Sequence, residues 1–309
     1  MTPLLRRLIP ALWSLVALAL AGPVLVGPVL VGPVLAEMQE VRLGDRGYLI
    51  DLPATPNAAP MILALHGGGG NPAQFARASN LGGAATARGY AVVFPAGTSR
   101  RGKDRLLTWN AGYCCGYAAQ AGVDDDAFLK AVIADASARF GLDGQRVFLT
   151  GMSNGAIMAE TFASRNPGRV AAVAGVSGTM DTARNRVKGP VPALIIHGTA
   201  DPMVPYGGGV GDDSLTRTDF SSVDAVVQAF LDAQPAPLAK TTRKIDAVDD
   251  GTSVAVTDWS AGSKVRLRLM TVTGGAHHWP GGRKARLKTG KTQEIAANTE
   301  ILRFFDQYR

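Results

Sequence analysis

The chain has only two cysteines in 309 residues, and they are neighbours, Cys114 and Cys115. It has four histidines, at 66, 197, 277 and 278. No cysteine or carboxylate cluster with ligand spacing accompanies the adjacent pair, so a metal centre is not expected. Charge is sparse as well. Charged residues make up 18% of the chain and hydrophobic ones 46%, which excludes a disordered polyelectrolyte and fits a globular core. The net charge of +7 is mild and drops to +5 without residues 1–36, which hold Arg6 and Arg7 and no acid. The densest basic run, residues 283–291 (RKARLKTGK), reads as a solvated loop and not as a nucleic-acid site. No Gly-Lys-Ser or Gly-Lys-Thr follows the glycine run at 67–70, which argues against a phosphate cradle. No linker divides the chain, and its length suits one large α/β domain.

The first 36 residues read as an export signal. Arg6 and Arg7 form a positive start, and residues 8–21 are apolar and uncharged. Gly-Pro-Val-Leu then repeats three times, at 22–25, 27–30 and 32–35. Cleavage is expected after Ala36, leaving a mature domain over residues 37–309 in a secreted or periplasmic location. The uncharged stretch is long enough to span a bilayer, but repeated Gly-Pro pairs make a continuous helix poor there. No cysteine lies near the cleavage point to carry a lipid.

Short apolar runs at 61–65, 90–94, 170–176 and 192–196 read as buried parallel strands. Helical patterns fall between and after them, at 73–88, 124–140, 156–165, 222–234 and 295–308. Asp124, Asp125 and Asp126 open the second of these and are expected to cap it. Three strand-like stretches lie near 241–247, 253–259 and 265–272. The alternation predicts an α/β fold, a mostly parallel sheet with helices on both faces.

The chemistry is expected at strand ends, where open α/β sheets gather ligands. Residues 151–155, Gly-Met-Ser-Asn-Gly, follow an apolar run and form a nucleophile-elbow pattern around Ser153. The flanking glycines allow a strand to turn sharply into a helix. His66 and four glycines end the 61–65 strand. Their loop is expected to offer the Gly68 N–H beside that of Asn154 to a developing oxyanion. Asp201 follows the 192–196 strand and is placed to orient a histidine, with Asp212 and Asp213 as rivals deeper in a glycine-rich loop. His277 and His278 follow the last strand and are the candidate base. His66 and His197, each before a glycine, are expected to brace loops. The order Ser153, Asp201, His277/278 is that of the α/β-hydrolase fold.

At this level of detail the chain resembles the secreted poly(3-hydroxybutyrate) depolymerase and feruloyl esterase family, from about residue 47 onward. The resemblance rests on His66 to Asn71 (HGGGGN), Trp109-Asn110-Ala111-Gly112 with Cys114-Cys115-Gly116, and Val123-Asp124-Asp125. It continues in the elbow, in His197-Gly198 with Asp201, and in the turn at 274–281 (GGAHHWPG). It implies that His277 is the base and His278 a variable position. It implies ester hydrolysis through an acyl-enzyme on Ser153, with no cofactor and no metal, acting on an ester that is free or polymer-attached. Nucleic acid and a membrane anchor after cleavage are not expected. About a dozen residues separate the strands at 170–176 and 192–196, so no large lid is expected. No polymer-binding module is seen after the terminal helix, which favours hydroxyalkanoate oligomers or aromatic, feruloyl-like esters. Trp109, Tyr113, Tyr206 and Trp279 are the candidate acyl-pocket lining, with core packing expected for at least half of them. Cys114 and Cys115 form a vicinal disulfide, stay as free thiols, or bridge to another chain. The alternatives are a serine peptidase on the same fold and an exported binding protein without activity.

Overall fold

The computed structural model describes residues 38–100, 104–235, 237–283 and 290–309. The stretch expected to act as an export signal and most of the 283–291 basic run lie outside them. Ten strands form one sheet. Strands β1 (Gln39–Leu43) and β2 (Arg46–Asp51) make an antiparallel edge, and β2 pairs antiparallel with β4 (Ala91–Pro95). The centre is parallel: β4, β3 (Pro60–Leu65), β5 (Asp143–Met152), β6 (Ala172–Val176), β7 (Ala193–Gly198) and β10 (Lys264–Thr273). An antiparallel pair, β9 (Ser253–Ala261) and β8 (Ala239–Ile245), extends the other edge. The order across the sheet is β1-β2-β4-β3-β5-β6-β7-β10-β9-β8.

Alternation within the central strands feeds two cores. Met61, Leu63 and Leu65 point to one face, where they meet α4 (Asp125–Phe140), α5 (Asn154–Arg165) and α6 (Val223–Asp232). Ile62 and Ala64 point to the other, against α1 (Pro72–Ser79), α2 (Leu81–Thr86) and α7 (Ala297–Phe305). This two-faced burial is why the strands read as continuous apolar runs. A short helix, α3 (Gly116–Gln120), lies in the irregular stretch before α4. The single helix expected at 73–88 is two. Asn80 sits left-handed at φ 53° between α1 and α2, and its side chain offers no cap. The edge strand β8 is exposed and carries Lys240, Arg243 and Lys244, charges that blunt an open edge. No helix among the described residues is long and apolar enough to cross a membrane.

The three aspartates at 124–126 have three different roles. Asp124 caps α4 by accepting from the Ala127 N–H. Asp126 pairs with Lys130 and accepts from Asn166. Asp125 is buried and pairs with Arg46 at 2.7 Å while accepting from the Asn110 N–H. Arg46 also donates to Ala96 O. The capping role therefore holds for Asp124 alone. Asp125 instead ties β2 to both ends of the long loop after β4.

Glu160 on the elbow helix α5 is fully buried, one oxygen accepting from the Met180 N–H and the other without a partner among the described residues. Burial pushes its carboxyl up to about 8, although the Met180 hydrogen bond opposes the shift. The folded chain therefore holds this proton more tightly than the unfolded chain, in which the group titrates at 4.5. Stability falls on account of Glu160 as pH rises between those values, and is level above them. Glu160→Gln keeps an acceptor for Met180 and removes this slope. Urea midpoints at about pH 5 and about pH 8 are expected to differ less in the variant than in the parent. Equal differences in the two proteins would mean that the folded state does not hold this proton.

Candidate active site

Ser153 occupies the hinge between β5 and α5 at φ 57° and ψ −127°, a strained conformation for a residue with a side chain. Its neighbours have no room for one. A Cβ on Gly155 would lie 2.2 Å from Leu65 O, and a Cβ on Gly151 would lie 2.5 Å from the Gly155 carbonyl carbon. The tight crossing of β3, β5 and α5 thus pushes the serine out at the tip of the sheet. Ser153 lines a cleft of about 1350 Å³ together with Gly68 and Asn154.

The glycine loop after β3 runs alongside the elbow. A Cβ on Gly67 would lie 3.6 Å from the Ser153 Cβ, and one on Gly68 would lie 3.5 Å from the Asn154 Cβ. The Gly69 and Gly70 amides are taken by Leu107 O and Gly67 O. The amides of Gly68 and Asn154 have no protein acceptor among the described residues. Two side chains hold this geometry. The Asn154 amide closes on the Trp109 backbone from both sides, accepting from its N–H at 2.7 Å and donating to its carbonyl at 3.0 Å. His66 accepts at Nε2 from the Gly97 N–H and donates from Nδ1 to Gly67 O. Burial pushes the His66 imidazole down to about 4, which keeps it neutral for that pairing.

Asp201 leaves the end of β7 and is buried. Its Oδ1 accepts from the Met203 and Val204 amides, both at 2.9 Å, and its Oδ2 meets His277 Nδ1 at 2.8 Å. Burial alone would raise this carboxyl, but His277, His197 and the loop amides hold it below the usual carboxylate range. The loops after β7 and β10 approach closely. A Cβ on Gly198 would lie 2.1 Å from Gly275 O, and the Ala200 N–H donates to that same oxygen.

The other histidines are structural. His278 is buried, bonded to Ala276 O and to the Thr292 N–H. His197 donates to Val204 O at 2.8 Å, and burial lowers its pKa. Asp212 and Asp213 are exposed. The aspartate–histidine pair is therefore Asp201–His277. Ser153 Oγ and His277 Nε2 make no hydrogen bond among the described residues, and such contacts commonly tighten only when substrate enters.

The aromatic residues expected to line an acyl pocket do not line the cleft. Trp109 is wholly buried, its indole donating to His66 O, so it braces the glycine loop against the elbow. Trp279 packs edge-on against Phe75 and donates to Asn298. Tyr113 donates to Thr179 O and meets Phe220 edge-on. Tyr206 bonds the Thr271 hydroxyl and lies against His197. An irregular loop has no periodicity to tell which way a ring points. The apolar lining comes instead from Met203, Val204, Leu215 and Phe220, on the 199–222 excursion between β7 and α6, and from Leu106. That excursion contains no helix or strand, and of its side chains only Tyr206 was expected in the lining. Residues 177–192, between β6 and β7, form no lid. Cys114 and Cys115 are paired as a vicinal disulfide across a cis peptide, and Cys115 reaches the cleft wall.

Among solved structures the fold is similar to an acetyl xylan esterase from Aspergillus awamori, with a TM-score of 0.59 and 17% identity over 87% of this chain and 98% of that one. It is also similar to esterase PE8, with a TM-score of 0.53 and 18% identity over 84% and 97%. In sequence, the chain is 30% identical over 246 residues to the inferred esterase NocK of Nocardia uniformis subsp. tsuyamanensis, covering 74% of this chain and 68% of that protein. It is 28% identical over 177 residues to the inferred feruloyl esterase C of Aspergillus clavatus, covering 55% and 60%. Residues 47–203, from β2 to just past Asp201, match the family model described as esterase PHB depolymerase. The sheet order, the elbow and these matches agree: the chain has the α/β-hydrolase fold and belongs to the PHB depolymerase family of carboxylic-ester hydrolases.

Proposed function

We propose that this chain is an exported serine esterase that works through an acyl-enzyme on Ser153. The observation that carries the proposal is the 2.8 Å bond between His277 Nδ1 and Asp201 Oδ2. It fixes the proton on Nδ1 and leaves Nε2 as the base. An ester entering the cleft places its carbonyl oxygen on the Gly68 and Asn154 amides. Ser153 Oγ attacks the carbonyl carbon as His277 Nε2 takes its proton, and Asp201 stabilises the imidazolium. Collapse expels the alcohol, which receives that proton. Water, deprotonated by the same nitrogen, then attacks the acyl-serine and releases the acid.

The substrates proposed are hydroxyalkanoate oligomers or aromatic esters of the feruloyl type. The open cleft and the two exposed leucines at its mouth, Leu106 and Leu215, support esters of some bulk. Export is proposed on residues 1–36 alone, with 37–309 as the catalytic domain. The test is direct hydrolysis by the purified chain of p-nitrophenyl butyrate, methyl ferulate and a hydroxybutyrate oligomer. Activity on the first is expected, together with a clear preference between the other two. Failure to cleave any of the three removes the esterase reading.

A further inference from the structure

We propose that the cleft is specific for esters that carry a carboxylate on one arm. The inference rests on the ester-hydrolase reading for what enters the cleft, and not on the serine mechanism. Three arginines line one wall, Arg77 from α1 and Arg100 and Arg105 from the loop after β4. All three are exposed, and none has an ion pair or hydrogen bond among the described residues. On the outer surface Arg88, Arg139 and Arg146 each rest on a carboxylate, while Arg42, Arg169, Arg186, Arg217 and Arg243 have no side-chain partner among the described residues, so what sets Arg77, Arg100 and Arg105 apart is that all three line one cleft. The acid that shares the cleft wall is Asp104, whose backbone carbonyl accepts from Asn71 and whose carboxylate engages none of the three arginines.

The sheet order gives the cleft two distinct sides. Strands β4 and β3, which carry the arginine wall, lie on one side of β5. Strand β7, which carries Met203, Val204, Leu215 and Phe220, lies on the other. Ser153 stands at the tip of β5 between them. An ester whose carbonyl reaches Ser153 therefore extends one arm over apolar surface and the other toward uncompensated guanidinium groups. Such groups bind carboxylates through paired, charge-assisted hydrogen bonds, and together they raise the local concentration of an anionic substrate.

The test is a binding titration by calorimetry on the full chain with Ser153→Ala, which removes turnover. The probes are the linear dimer of 3-hydroxybutyrate with a free carboxylate and the same dimer as its carboxamide. The free acid is expected to bind about tenfold tighter or more at low salt, and this ratio shrinks as salt is added. Adding Arg77→Gln and Arg105→Gln together brings the ratio close to one. Arg243→Gln, which removes the same charge from the exposed edge strand β8, leaves the ratio unchanged. Equal binding of acid and amide, no binding of either, or a ratio that survives the double substitution overturns the proposal. A wild-type chain that cleaves no ester but keeps the ratio overturns the serine-esterase reading and leaves the carboxylate site standing.

Discussion

Ser153→Ala is expected to lower kcat for p-nitrophenyl butyrate by about 10⁴-fold or more, with little change in the thermal midpoint. The hydroxyl makes no hydrogen bond among the described residues, so its removal strands no partner. The backbone remains where the glycines at 151 and 155 force it. The Gly68 and Asn154 amides still face the cleft, so a residual rate above that of water is expected. Binding of substrate should change far less than turnover. A variant that kept a tenth of the parent activity would show that another group attacks the ester.

Asp201→Asn should cost almost as much, by about 10⁴-fold in kcat, and the hydrogen bonds of the loop explain why. Oδ1 accepts from two backbone amides, Met203 and Val204. An asparagine must keep its carbonyl oxygen there, since an NH₂ group cannot accept. The NH₂ then falls at the Oδ2 position and faces His277 Nδ1. Two donors cannot pair, so the imidazole shifts its proton to Nε2, the atom that must accept from Ser153. The fold should tolerate the change, because both loop hydrogen bonds persist. The check is kcat together with circular dichroism. A folded variant within tenfold of the parent rate would mean that Asp201 does not set the tautomer of His277.

Much of this site was legible before the fold was known, and the reasons are local. The elbow needs glycine two residues either side of Ser153 because three backbones meet there, and that need appears as a pattern of five residues. After His66 the need is narrower: Gly69 is left-handed at φ 78° and a Cβ on Gly70 would lie 3.0 Å from Gly67 O, while Cβ atoms on Gly67 and Gly68 would meet ordinary contacts. The order of Ser153, Asp201 and His277 could be read because each follows an apolar run. What could not be read depends on side-chain direction or on long-range pairing. Neither Trp109 nor Trp279 sits in a periodic segment, and the polar end of each ring found an acceptor away from the cleft, His66 O and Asn298 Oδ1. Asp125 looked like any acid at a helix start, and its partner Arg46 lies 79 positions away at the start of β2. The arginine wall combines residues from α1 and from the loop after β4, and no spacing rule links them. Among the helices, the break at Asn80 was hidden because the glycine pair at 82–83 weakens a helix without marking where it stops.

The central claim is that Ser153 forms the covalent intermediate. It is tested most directly by treating the folded chain with a serine-reactive fluorophosphonate and mapping the adduct by peptide mass spectrometry. One adduct per chain is expected, on the peptide containing Ser153, with protection by a hydrolysable ester. Labelling is expected to be lost in Ser153→Ala and strongly slowed in Asp201→Asn. Labelling of a different residue, or an active enzyme that takes no label, would contradict it.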